Sequence, residues 1–206
     1  MSTPAQPAQP ARVSPWNIAN YLTVLRIVLV PLVVWLLLAR GGDDAWFRLG
    51  AFAAFAAASI TDKVDGDIAR ARGLVTDFGK IADPIADKLL LGAVFVCLSL
   101  LGEVWWWVTV VILVREVGIT LLRFVVIRYG VIAASPGGKL KTVLQVAAAG
   151  LLLLPWASWL SGTALDVVQG ALLVLVLAAA AVTLVTGVDY LVRAYRLVQG
   201  GRRGAA

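Results

Sequence analysis

The chain has no histidine and a single cysteine, Cys97, among its 206 residues. These absences exclude disulfides, Cys/His zinc sites and every triad that needs an imidazole. Any general base is therefore expected to be a carboxylate. Charge is also scarce: 15% of residues are Asp, Glu, Lys or Arg, against 61% hydrophobic residues and a mean hydropathy of +0.90. That composition lies outside the range of soluble globular domains and puts most of the chain in lipid. No fixed-period repeat, GxGxxG or GxxxxGK[ST] occurs, so a soluble nucleotide-binding fold is not expected and phosphates must be held in another way. The net charge of +6 does not indicate nucleic acid. The Lys and Arg residues sit at the ends of apolar segments, where they report topology and contact with anionic lipid.

What the chain does have is a series of long apolar runs. Residues 1–14, rich in Pro, Ala and Gln without apolar periodicity, read as a disordered cytosolic tail. No small-residue cleavage site bounds the next run before Gly41, so it reads as a retained span and not a cleaved signal peptide. Spans are predicted over Ile18 to Ala39 and over about 47–64, 84–102, 104–127, 140–160 and 165–192, each near or above the ~20 residues a bilayer needs. Pro31 is expected to bend the first span, and Arg26 either to snorkel to the surface or to face a polar site. One set of span ends carries Arg12, Lys63, Arg70, Arg72, Lys80, Arg123, Arg128, Lys139, Lys141 and the C-terminal arginines, whereas the other carries only Arg40 and Arg48. By the positive-inside rule the first set is cytosolic. Trp46, Trp105, Trp106, Trp107, Trp156 and Trp159 fall at the opposite ends, as an interfacial aromatic belt does. The expected fold is an all-α integral membrane protein with six transmembrane helices and both termini cytosolic. Residues 15–195 form its domain and 196–206 a basic cytosolic tail.

The densest chemistry lies in one stretch, Asp62 to Asp87, reading DKVDGDIARARGLVTDFGKIADPIAD. Asp62 and Asp65 are three apart, and Asp83 and Asp87 four apart, so on helices the members of each pair share a face. The stretch joins two apolar runs. A bare set of carboxylates at membrane-helix ends is costly, since one central Asp costs roughly 2.5–3.5 kcal/mol on insertion scales, so something positive is expected between the two edges.

Written as D-x-x-D-G-x-x-A-R-x8-G-x-x-x-D-x-x-x-D, the stretch resembles the signature of the CDP-alcohol phosphotransferase family. These are integral membrane enzymes that join a CDP-activated group to an alcohol in phospholipid synthesis. The pattern is complete at Asp62, Asp65, Gly66, Ala69, Arg70, Gly79, Asp83 and Asp87, and the helix layout extends the likeness over about residues 15–195. The residue types suit that chemistry. Four carboxylates are hard oxygen ligands for Mg²⁺ or Mn²⁺, and two such ions balance their formal charge. Gly66, Ala69 and Gly79 let a nucleotide approach the backbone closely, and Arg70 can donate to phosphate oxygens. The resemblance further implies that Asp62, Asp65 and Asp83 are chiefly metal ligands, while Asp87 takes the proton of the incoming alcohol and also touches metal. Asp67 and Asp77 fall outside the pattern and read as solvated or helix-terminal charges.

A second constellation comprises Arg115-Glu116 inside the fourth span, Arg123, and Ser135-Pro136-Gly137-Gly138-Lys139-Leu140-Lys141-Thr142 with Gln145. An Arg and a Glu within a span must face a polar cavity or each other. Lys139 and Lys141 can read either as topological charge or, with the helix-start amides, as a phosphate site. The set resembles the R-E…L-R and S-x-x-G-K-x-K-T-x-x-Q pattern of the phosphatidylglycerophosphate synthases within the family. Asn17-x-x-Asn20-x-x-Thr23-x-x-Arg26 resembles their N-terminal opening, with Ala19 where proline is common; Asn20 and Thr23 are possible helix-start caps. The resemblance implies CDP-diacylglycerol and glycerol 3-phosphate as substrates and a homodimer in the bacterial inner membrane, with the site facing the cytosol. Arg115, Arg123, Lys139 and Lys141 are candidates for the acceptor phosphate. The signature reads the CDP half and not the alcohol, so a phosphatidylinositol phosphate synthase or a cardiolipin synthase remains an alternative. A divalent-cation carrier is the alternative of another class.

Overall fold

The computed structural model describes residues 18–72, 77–126 and 136–203, with side chains except those of 18–20, 22, 62–72, 77–84, 87, 136 and 200–203. The predicted tail over 1–14 lies outside the described residues. Among them every regular element is helical: α1 (Ile18–Leu38), a 3₁₀ turn (Ala39–Gly42), α2 (Ala45–Arg72), α3 (Asp77–Leu100), α4 (Trp106–Val126), α5 (Pro136–Leu153), the single turn α6 (Trp156–Trp159) and α7 (Thr163–Arg203).

The six long helices correspond to the six predicted apolar runs, and their differences from them have local causes. α2 and α3 run past their apolar stretches through the acidic signature, to Arg72 and back to Asp77. α5 stops at Leu153 rather than continuing to residue 160, because Pro155 has no N–H to donate and biases Leu154 away from the helical region. It starts at Pro136, where proline's missing N–H costs nothing. α7 continues to Arg203, through the region read as a basic tail. Its 41 residues make a rod of about 60 Å, twice a ~30 Å hydrocarbon core. Two helical regions, Thr23–Gly42 and Thr163–Gln199, are long and apolar enough to cross a membrane by themselves, and Ala45–Thr61 and Lys88–Leu100 are shorter apolar helices.

α1 packs on α2 and α3, α5 on α2, α3 and α7, and α4 on α3 and α7. The core between them is built from Val33 and Leu37 of α1, Phe55 of α2, Val94, Phe95 and Leu98 of α3, Ile112 of α4, and Ala148 and Ala149 of α5. Small residues on α5 let the helices close. At Gly150 an added Cβ would already touch the Phe55 ring at 3.5 Å. Buried hydroxyls are paired, with Ser99 and Thr109 2.7 Å apart across α3 and α4.

Arg48 clasps the end of the bundle that carries the tryptophans. Its two terminal nitrogens meet both oxygens of Glu103 at 2.6 and 2.8 Å, and the guanidinium also donates to the carbonyls of Gly42, Leu152 and Leu153. All five of its donors are thereby used, two of them on carbonyls at the C-terminal end of α5 that lack a helical partner. Gly42 stands at φ 82°, and a Cβ there would lie 2.7 Å from Leu101; only glycine lets the α1–α2 corner seat under the α3–α4 turn. Asp44 caps α2, accepting from the amides of Trp46 and Phe47. Arg40, the other basic residue at this end, pairs with Asp44 at 3.2 Å.

Candidate active site

The signature is carried by two helices joined through residues 73–76. Asp62, Asp65, Gly66, Ala69 and Arg70 all lie in α2, and Gly79, Asp83 and Asp87 in α3. A link of four residues between two packed helices requires them to run antiparallel. Counting from the link, Asp65 and Asp62 are seven and ten residues up α2 from Arg72, while Asp83 and Asp87 are six and ten residues up α3 from Asp77. Both acidic pairs therefore sit at one level, about 10–15 Å from the helix ends at 1.5 Å per residue. The side chains of Asp62, Asp65, Asp83, Asp87 and Arg70 are outside the described set. The backbone puts the members of each pair three and four residues apart on one helix, and both pairs toward the end of the bundle where α2 and α3 are linked. A set of hard carboxylate oxygens on adjoining helices is a donor set that fits Mg²⁺ or Mn²⁺.

Arg26 lies eight residues into α1, the helix packed on both α2 and α3. It is 1% exposed and heads the fully buried side chains by volume. Of the two alternatives for this residue, interior burial is the one realised, and Arg26 does not snorkel. Thr23, three residues before it, is also 1% exposed and shares its face. The idea that Thr23 or Asn20 caps the helix start is overturned, because α1 begins at Ile18 and both residues stand inside it. Asn17 lies outside the described residues, and the helix runs through Pro31 without interruption.

The second constellation converges on one carboxylate. Glu116 of α4 accepts from Arg115 at 3.2 Å through its Oε1, and the same oxygen takes the Lys141 ammonium of α5. The three side chains are 13%, 16% and 6% exposed. The requirement that intramembrane Arg and Glu face each other is met. Lys88, one residue past Asp87 on α3, is close enough to Lys141 to repel it, as is Arg115. Two cations thus meet on one carboxylate, an excess that favours an anion. Arg115 Nε is buried with no hydrogen-bond partner. One turn along α5, Gln145 is fully buried and donates to Thr183 of α7 at 2.9 Å, while its own Oε1 has no partner.

Arg123 and Lys139 are exposed and show no contact to this group, so of the four candidates the structure brings together only Arg115 and Lys141. The involvement of α7 was not legible in the sequence, where Thr183 and Gly187 look like ordinary members of an apolar helix. Asp189 and Arg193 form the expected surface pair at 3.0 Å, both about half exposed.

A sequence profile described as CDP-alcohol phosphatidyltransferase matches residues 16–186. A protein of Mycobacterium tuberculosis (strain H37Rv) named probable phosphatidylglycerophosphate synthase is 49% identical over 190 residues, covering 92% of this chain and 87% of that protein. The Bacillus subtilis (strain 168) CDP-diacylglycerol–glycerol-3-phosphate 3-phosphatidyltransferase is 40% identical over 149 residues, covering 68% of this chain and 77% of its own. The protein of that name from Rickettsia typhi is 41% identical over 176 residues, covering 84% and 94%. A profile match over most of the chain, together with relatives at this identity and coverage, shows that the chain belongs to the CDP-alcohol phosphatidyltransferase family.

Proposed function

We propose that this protein transfers the phosphatidyl group of CDP-diacylglycerol to sn-glycerol 3-phosphate, giving phosphatidylglycerophosphate and CMP. The observation that carries the acceptor assignment is the convergence of Arg115 and Lys141 on Glu116 in the interior, which leaves one positive charge in excess. A phosphate dianion on the alcohol meets that excess, and a neutral alcohol has no use for it. The names of the relatives from M. tuberculosis, B. subtilis and R. typhi support the same substrates.

Asp62, Asp65, Asp83 and Asp87 would hold the divalent cations, Mg²⁺ or Mn²⁺ and, by charge balance, two of them. When bound, such ions neutralise the diphosphate and the departing CMP. Gly66, Ala69 and Gly79 leave room for the nucleotide against the backbone, and Arg70 donates to its phosphates. Arg115 and Lys141 orient glycerol 3-phosphate by its phosphate, with Arg123 and Lys139 drawing the anion in from the surface. Asp87 accepts the proton of the free primary hydroxyl as that oxygen attacks the phosphorus bearing diacylglycerol. The new P–O bond forms as the bond to the CMP oxygen breaks, and CMP leaves with the electron pair. The six long helices span the bacterial inner membrane with both termini and the signature on the cytosolic side, in a homodimer. The separation of basic residues from tryptophans supports that orientation. Arg40 and Arg48, the two basic residues on the far side, are each paired with an acid.

The test is CMP release by purified protein with Mg²⁺ or Mn²⁺ and CDP-diacylglycerol, comparing glycerol 3-phosphate, inositol phosphate and phosphatidylglycerol as acceptors. Turnover with glycerol 3-phosphate is expected to exceed the others by at least tenfold. Turnover with inositol phosphate alone would sink the assignment, and metal flux without CMP release would make the protein a carrier.

A further inference from the structure

The last helix approaches the second constellation at two points one turn apart. Thr183 receives the Gln145 amide, and Gly187 faces the stem of Arg115. Gly187 is buried, and a Cβ built on it would stand 3.2 Å from Arg115 Cγ. That is closer than ordinary van der Waals contact, so one of the two would have to give way. Arg115 is poorly able to move. Its Cγ is near the root of the side chain, its Nε is enclosed, and its Nη1 is tied to Glu116, which also holds Lys141. A shift of the stem therefore carries the guanidinium with it.

We propose that Gly187 is a positioning residue for the acceptor: its bare Cα lets α7 back the Arg115 side chain and so sets where the guanidinium meets the acceptor phosphate. The inference rests on the acceptor role proposed above for Arg115. Gly170, also on α7, has no such duty, since a Cβ there would meet nothing within 4 Å. Conformational freedom is not the reason for glycine at 187 either, because the residue lies within the regular helix and its φ is not positive.

The experiment is steady-state kinetics of Gly187→Ala in detergent–lipid micelles, varying each substrate in turn, with Gly170→Ala as the control. Gly187→Ala is expected to raise the KM for glycerol 3-phosphate about tenfold. The KM for CDP-diacylglycerol and kcat at saturating acceptor should stay within about twofold, and Gly170→Ala should leave all three unchanged. A folded Gly187→Ala enzyme with an unaltered acceptor KM, or with equal losses for both substrates, overturns the proposal. Arg115→Ala separates the two readings. If it raises the acceptor KM and Gly187→Ala does not, only the present inference fails; if it leaves the acceptor KM unchanged, the acceptor role of Arg115 fails and takes this inference with it. Should Gly187→Ala not fold, the double variant with Arg115→Ala removes the Cγ that the new methyl meets. Recovery of folded protein in the double variant supports the proposal, and failure to recover overturns it.

Discussion

Arg48, in the first turn of α2, and Arg115, midway along α4, are both largely buried arginines, and they sit in opposite chemical states. Arg48, at the tryptophan-lined end, spends every donor on Glu103 and on three carbonyls. Arg115 has one hydrogen bond, to a carboxylate it shares with Lys141, and a buried Nε with none. A saturated arginine is a structural tie; one enclosed with unused donors is held ready for an anion that is not part of the chain. The difference separates a tie that closes one end of the bundle from a charge in its interior that is left partly unpartnered.

The largest expected effect lies in the acidic signature. Asp87→Asn should cut CMP release by about 10³-fold, within the span expected for loss of a general base, while CDP-diacylglycerol binding is retained in an equilibrium assay. Near-normal turnover would remove Asp87 from that role. Next comes the tie. Arg48→Ala leaves Glu103 without its cation and frees three carbonyls, which should cost about 3 kcal/mol of stability, read as a lowered thermal midpoint in detergent with the acceptor KM unchanged. Arg48→Lys should recover little of this, since an ammonium cannot reproduce the two-pronged contact. Arg115→Ala should show the reverse pattern, an acceptor KM raised about 10- to 100-fold, as for loss of one charge-assisted contact, and a thermal midpoint close to that of the parent. If Arg115→Ala melted early with normal KM, the contrast between the two arginines would collapse. The smallest effect is expected at exposed Lys139, where Lys139→Ala should change the acceptor KM by about twofold at low ionic strength and less as salt is added.

Much of the fold was legible in the chain because long apolar runs in lipid leave the backbone few options besides helix. The run from 84 to 102, which closes on a glycine, placed the end of α3 and its turn to within two residues, and Gly102 takes a φ of 77°. Helix ends were less legible where charge, rather than apolarity, occupies the helix. The sequence put the acidic pairs at the ends of the apolar runs, and the backbone is helical through both pairs, on either side of residues 73–76, since Asp, Arg and Ala can continue a helix beyond an apolar run. At α5 the reverse happened: apolar residues beyond Leu153 suggested a longer span, and Pro155 ended it. In the site, spacing put each Asp pair on one helix face, and the eight signature positions came from the resemblance to the family pattern. Arg115 and Glu116 were conspicuous because charge inside an apolar run demands a partner.

The sequence by itself determined that this is a helical, lipid-embedded chain with two carboxylate pairs at one end, because hydropathy and short-range spacing are properties of neighbouring residues. Which buried charges meet was decided only by the tertiary structure. Glu116 reaches Lys141 across 25 positions, and Arg48 reaches Glu103 across 55. Gly187 lies against Arg115 because α4 and α7 pack on those particular faces. Helical periodicity names the residues on a face but not the face opposite, and the choice is made by packing and by the cost of leaving a buried charge alone.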